Sequence, residues 1–319
     1  GNFMSHEAKY VPPKRYPFTE DKIFGWVMEN QEFCLYLLQI ILPDLNIQKI
    51  VEFHKQDAMG NDDREAKDIR LDIKVVDDQG RIFDIEMQTT PSAYLGRRMR
   101  YYQSIIDGDG ILKVGKDYSQ LPDTYIIFLC SEDPSDAFSK KDDRAVHFFK
   151  TIDTKDGDLK LNDGATKVII NSKGDFASES AELKELANLM NDKEVSLNDQ
   201  FIWAQNRVNE LNKDRRSDIV SYEAKLMDRE LYGRQEGIKK GREEGRQEGI
   251  KKGREEGRQE GQNEERLVGV KKSIDIALSF TQDDDAILNK VKSQYGDHFT
   301  DDDLKELIAK AKGKLLQEA

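Results

Sequence analysis

Two carboxylates and an amide in one short stretch, Asp72, Glu86 and Gln88 of RLDIKVVDDQGRIFDIEMQ (Arg70 to Gln88), are of the types that bring a hard cation and a water together. Residues directly opposed on antiparallel strands have Cβ atoms about 5 Å apart. One divalent ion with oxygen ligands bridges carboxylates at that separation. Gln88 neither accepts a proton at neutral pH nor supplies positive charge, but its amide can orient a water. The chemistry such a set could perform is metal-assisted hydrolysis, with the cation supplying most of the charge stabilisation.

For these groups to meet, the chain must reverse sharply between them. Leu71, Ile73 and Val75 alternate with Asp72 and Lys74, and Phe83, Ile85 and Met87 alternate with Asp84, Glu86 and Gln88, the period-two pattern of half-buried strands. A three-residue loop Asp78-Gln79-Gly80, with Gly80 left-handed, makes Asp77 and Arg81 the closing pair. Counting back sets Val76 against Ile82, Val75 against Phe83, Lys74 against Asp84, Ile73 against Ile85 and Asp72 against Glu86. Apolar meets apolar and Asp84 meets Lys74, which gives Asp84 a structural reading. Asp72 and Glu86 are like charges face to face, which destabilises a hairpin. A one-residue slip would set apolar against polar residues throughout, so a cation is the expected remedy.

Asp72, followed after the turn by Glu86-Met87-Gln88, resembles the PD-(D/E)XK nuclease signature in its E-x-Q variant. With TEDKIF (Thr19 to Phe24), DIEMQ (Asp84 to Gln88) and GRRMRYY (Gly96 to Tyr102), the chain is similar to the Rpn family of PD-(D/E)XK nuclease family transposases. The resemblance implies an α/β fold: a restriction-endonuclease-like core with a mixed sheet flanked by helices, followed by a glycine-repeat helical segment and a small helical unit. It implies a DNA endonuclease using Mg2+ or Mn2+, with Asp72 and Glu86 as metal ligands and Gln88 where most of the superfamily has lysine. A role in recombination or phage defence follows from the family likeness. The rival reading is an inactive or restrained nuclease fold kept for DNA holding or oligomerisation. Such nucleases often carry a further acid on the first helix, where Glu20 or Asp21 stands; helix-start electrostatics explains the same residues. Relatives often have lysine after the motif's phenylalanine, and here that residue is Gly25.

Arg97, Arg98 and Arg100 interleave with Tyr94, Tyr101 and Tyr102 just after the acidic strand. Such a segment contacts phosphates and stacks on bases, with Arg97, Arg100 and Tyr101 as the DNA-facing candidates, or it is a solvated face over core tyrosines. The chain has 62 acidic and 50 basic residues, a net charge of −12, which excludes a general nucleic-acid coat but not a local basic groove. Cys34 and Cys130 lie in apolar runs and read as core residues. The four histidines lack partners at ligand spacing. No stretch is apolar for long enough to span a membrane and no leader is evident, so a cytoplasmic protein is expected.

Around the hairpin, Gly1-Asn2-Phe3 reads as a tag remnant and residues 1–17 as an arm. Residues 18–232 form the nuclease-like domain. Thr19 is the expected cap of a first helix, and Phe33 to Leu42 a second. Ile47 to Lys55 reads as a strand and Gln56 to Lys67 as a polar connection. Asp123 to Cys130 reads as a strand buried on both faces, with further strands at Val146 to Ile152 and Thr166 to Asn171. Ala181 to Tyr232 reads as continuous helix. From Gly233 to Gly261 a glycine recurs every fourth residue within the repeated GRQEGIKKGREE. Each glycine costs a helix about 1 kcal/mol relative to alanine. Residues 233–262 are therefore either a self-associating helical rod or a flexible charged linker. Residues 263–319 form a helical unit too small to be secure unaided, with apolar stripes at Val268, Val270, Ile274, Ile276, Ala277 and Phe280, and at Leu304, Leu307, Ile308 and Leu315. A homo-oligomer through the repeat and this unit is expected.

Overall fold

The reversal between Asp77 and Ile82 forms as its residues require. In the computed structural model, which describes residues 9–56, 71–108 and 117–318, Gly80 has φ of 75°. Its N–H donates to the Asp77 carbonyl at 3.0 Å, and Asp77 N–H donates to the Arg81 carbonyl at 3.1 Å. The buried Asp77 carboxylate also accepts from the Gln79 and Arg81 amides and from Arg81 Nε at 2.7 Å. Strand β2 (Ile73–Asp77) thereby pairs with β3 (Ile82–Gln88) in the register Ile73–Ile85, Lys74–Asp84, Val75–Phe83 and Val76–Ile82, as the sequence implies.

These strands belong to a six-stranded mixed sheet in the order β1-β2-β3-β4-β6-β5. Strand β1 (Ile50–Lys55) runs antiparallel to β2. Strand β4 (Thr124–Cys130) is parallel to both β3 and β6 (Ala165–Asn171), and β5 (Val146–Phe149) closes the other edge antiparallel to β6. A parallel β3–β4 pair needs a long crossover, and helix α3 (Leu95–Gly108) lies within it. Every residue of β4 is buried, which explains its unbroken apolar run.

Side-chain alternation splits the core in two. On one face Ile73, Val75, Phe83, Ile85, Ile127 and Val168 pack with the helices α1 (Asp21–Met28), α2 (Gln31–Ile41), α4 (Ala181–Met190) and α5 (Asp199–Asp214). On the other, Ile82, Ile126, Phe128 and Cys130 meet Leu95, Met99, Tyr102 and Ile106 of α3. Cys34 and Cys130 are both buried.

Several boundaries differ from the sequence reading. Thr19 does not cap α1; Glu20 does, accepting from Ile23 N–H at 2.9 Å. The stretch from Ala181 to Tyr232 is broken twice. Asp192, at φ 54°, ends α4, and Asn198 caps α5 by accepting from Phe201 N–H at 3.1 Å. A second break at Arg215 precedes α6 (Arg216–Leu278). Residues 1–8, most of the expected connection to Lys67, Arg70 and the approach to Leu112 lie outside the described residues.

The chain divides into two compact units, Gly1–Met227 and Asp228–Ala319. In the second unit the glycine repeat is helical within α6 and exposed along its length, with i,i+3 pairs such as Arg246–Glu243 and Arg258–Glu255. Its small core joins Val270, Ile274, Ala277, Ile287, Val291, Leu304 and Ile308 from α6, α7 (Asp284–Tyr295) and α8 (Asp301–Glu318). Val268, Ile276 and Phe280, expected in the buried stripe, are instead 52%, 58% and 82% exposed: Val268 and Ile276 occupy a neighbouring row of the helix, and Phe280 lies in the turn beyond its end. No helix among the described residues is long and apolar enough to cross a membrane.

Candidate active site

Because β3 side chains alternate, Asp84, Glu86 and Gln88 point to the α3 side of the sheet, beside Ile126, Phe128 and Cys130 of β4 in register. That placement removes water from them: Asp84 is 0% exposed, Glu86 2% and Gln88 7%. Asp72, where β2 begins, reaches the same place. Its N–H donates to Glu86 Oε2 at 2.6 Å, and its own Oδ2 accepts from Met87 N–H at 3.0 Å. The two carboxylates are thus fixed by the backbone groups that continue the ladder past Ile73 and Ile85, and the structure brings them together as the register requires.

Asp84 joins them. It faces Lys74 in register, but neither of its carboxylate oxygens accepts a hydrogen bond. It lies close enough to Asp72 and Glu86 for their charges to act on it. The sequence reading placed Asp84 on the polar face with Glu86 and Gln88 and favoured a structural role through Lys74; the structure adds that its oxygens are buried without a hydrogen-bond partner. Burial holds the Asp72 carboxyl up at about 6, with the Asp21 charge adding to it. Asp84 and Glu86 are pushed well above the usual carboxylate range, by burial first and then by neighbouring acids: Asp72 for Asp84, and Asp84 and Asp72 for Glu86.

The charge facing these acids comes from Arg98. Its guanidinium donates to Gln88 Oε1 at 2.6 Å and, through Nε and Nη2, to Tyr102 Oη at 3.0 and 2.8 Å. It lies 5.3 Å from the Tyr102 ring centre and 5.7 Å from that of Phe128. Its charge pulls against the raised carboxyls of Asp72, Asp84 and Glu86. Gln88 is held at both ends, since its Nε2 donates to the Thr90 carbonyl at 2.6 Å. The sequence reading did not single out Arg98 as a site residue; the signal that could have found it is its place three residues after Leu95 and four before Tyr102, on the edge of the buried stripe of α3. The DNA-facing candidates Arg97, Arg100 and Tyr101 are exposed on the other side of that helix, away from the carboxyls, Tyr101 by 50%.

Asp21 and Asp72 both line a cleft of about 260 Å³ between α1 and the adjoining ends of β1 and β2, with Lys22, Gly25, Lys55 and Gln56. Asp21 accepts a hydrogen bond from Tyr222 Oη. Glu20 caps the helix, and burial together with Glu223 raises its carboxyl to about 9. The two readings of the first-helix acids thus fall to different residues, the cap to Glu20 and the cleft to Asp21.

Among the described residues no group of three or more His, Cys, Asp and Glu side chains is disposed to hold a metal by itself. Mg2+ and Mn2+ do not require one: magnesium is usually held by one or two carboxylates, with waters and substrate phosphates completing its shell. Hard oxygen donors, the unpartnered Asp84 oxygens and three desolvated acids facing one guanidinium fit such an ion. A family model, PD-(D/E)XK nuclease family transposase, matches residues 16–202. No curated protein and no solved structure matches the chain.

Proposed function

As the chain belongs to the PD-(D/E)XK nuclease family transposases, we propose that it is a DNA endonuclease that hydrolyses phosphodiester bonds with Mg2+ or Mn2+ held by Asp72 and Glu86. The observation that carries this reading is the cluster of Asp72 with the buried Asp84 and Glu86, three carboxyls all pushed upward by burial and by neighbouring acids. A bound divalent ion would stabilise charge on the phosphate and make a coordinated water more acidic. Asp72 and Glu86 are pre-set for ligation by the amides of Met87 and Asp72, so little reorganisation is needed. Gln88, tied between Arg98 and Thr90, acts by orienting the guanidinium and a water rather than as a base. Asp21 supports the same site from α1, held by Tyr222. Arg97 and Arg100 meet DNA phosphates and Tyr101 stacks beside them.

In this reading residues 18–232 cut DNA, in recombination or phage defence within the cytoplasm, while 233–262 and 263–319 assemble copies of the chain. Exposed Val268, Ile276 and Phe280 support the assembly role, as does a helical repeat whose eight glycines, from Gly233 to Gly261, weaken it without a partner. Gln88's lack of charge favours slow turnover, and it is also what a module without activity would show.

Plasmid DNA incubated with the full-length protein decides between these. Nicking is expected with Mg2+ or Mn2+ and none with EDTA. Failure to cut in either ion, at protein in excess over DNA, would leave the inactive module. Light scattering checks the assembly role: Phe280→Glu is expected to lower the oligomeric mass, and an unchanged mass refutes that use of the surface.

A further inference from the structure

The proposed active site has a shortage of positive charge on the side away from Arg98, and Lys55 is placed to make it up. Lys55 ends β1 opposite Ile73, and the next residue, Gln56, donates its N–H to the Asp72 carbonyl at 2.9 Å. Its side chain enters the cleft shared by Asp21 and Asp72. It does so by crossing α1 at Gly25. A Cβ on Gly25 would lie 3.2 Å from Lys55 Cδ and 3.8 Å from Nζ, tighter than a methyl group normally sits against the stem. The absence of a side chain at 25 is what lets the ammonium lie along the cleft wall.

The other lysine of the cleft, Lys22, is engaged elsewhere, its Nζ 5.0 Å from the Tyr222 ring centre and 5.9 Å from that of Trp26. Lys55 Nζ pairs with Glu29 at the end of α1, a carboxylate half exposed to water. Such a pair is weak and exchanges readily for a stronger anion. A phosphate is such an anion, since lysine binds it as a compact point charge.

We propose that Lys55 contacts a backbone phosphate of the bound DNA in this cleft, leaving Glu29 to do so, and that Gly25 is the gap through which it reaches. The proposal rests on the nuclease reading above. Lys55 then supplies on the α1 side the charge that Gln88 does not supply on β3, and the DNA phosphate is held between Lys55 and the Asp72–Glu86 pair.

The test compares full-length wild type, Lys55→Met and Glu29→Gln on a short DNA duplex, with binding measured over a salt series in Ca2+ and cleavage in Mg2+. Lys55→Met keeps the stem and removes the charge. It is expected to lower the slope of log affinity against log salt by about 0.9, the signature of one lost phosphate contact, and to slow cleavage by about 100-fold. Glu29→Gln, which frees the ammonium, is expected to leave the slope unchanged. Lys55→Met with an unchanged slope, or Glu29→Gln reproducing its losses, makes Lys55 a structural partner of Glu29 and overturns the proposal. These outcomes are separable from failure of the nuclease reading. A wild type that binds with the expected slope but never cuts removes only catalysis, and a wild type that does not bind DNA removes both.

Discussion

A Glu86→Gln protein is expected to lose metal-dependent DNA cleavage by at least about 1,000-fold, or about 4 kcal/mol of transition-state stabilisation, while remaining folded. The substitution is nearly isosteric, and the new amide oxygen can still accept from the Asp72 N–H that lies 2.6 Å from Glu86 Oε2. What disappears is the negative charge, and with it half of the proposed ligand pair. Asp72→Asn should act the same way, since its other oxygen can still accept from Met87 N–H. The two losses should not add in the double variant, because either one removes the same ion. Single-turnover cleavage in Mg2+ and thermal unfolding in EDTA measure the two halves of the expectation. Cleavage by Glu86→Gln within tenfold of wild type would remove Glu86 from the site.

The second large effect is on stability, and its sign is unusual. Most acids in a folded protein titrate at or below their unfolded values, so acid destabilises. Here Asp72 is held at about 6 against an ordinary 3.8 by burial and by Asp21, so the native state keeps a proton that the unfolded chain releases. The unfolded chain then binds fewer protons between about pH 4 and pH 6, and stability falls as pH rises through that window. The full effect of such a shift is about 3 kcal/mol at pH 8 in the metal-free protein, or about 5–10 °C in Tm. Asp84 and Glu86 act in the same direction and extend the loss to higher pH, as does Glu20, held at about 9. In EDTA the melting temperature should therefore be higher near pH 5 than at pH 8. Mn2+ at about 100 times its dissociation constant should restore about 2.7 kcal/mol at pH 8 and little at pH 5, where protons compete. Asp84→Asn should flatten the EDTA profile and raise stability at pH 8, because its buried carboxylate has no hydrogen-bond donor to lose. A melting temperature in EDTA that does not change between pH 5 and pH 8, or an Asp84→Asn profile identical to wild type, would show that the cluster is not under electrostatic load.

The hairpin was legible because two independent signals agreed on one register. Apolar alternation on both strands and a glycine able to take φ of 75° admit a single pairing, and Asp72 and Glu86 follow from it by counting. The both-faces burial of β4 was legible for a similar reason, since an apolar run of that length has no polar side to expose. The structural reading of Asp84 came from the lysine across the strand, which the register bears out. Opposition in register fixes two Cα positions, and the oxygens of Asp84 still lack a donor. Choosing Arg98 over Arg97 needed the rotation of α3 about its axis, which the stripe of Leu95, Met99, Tyr102 and Ile106 defines. The breaks around Asp192 and Arg215 were hidden because apolar spacing resumes beyond each of them. The asparagine at 198, three residues before Phe201, is the local mark of a new start.

Gln88 sits within 2.6 Å of both Arg98 Nη1 and the Thr90 carbonyl. A lysine there would lose the acceptor that Arg98 now uses and set an ammonium beside its guanidinium, and like charges at that distance repel. Positions 88 and 98 are therefore physically coupled: a charge introduced at one is felt at the other, and exchanging either residue alone breaks the hydrogen bond that holds both.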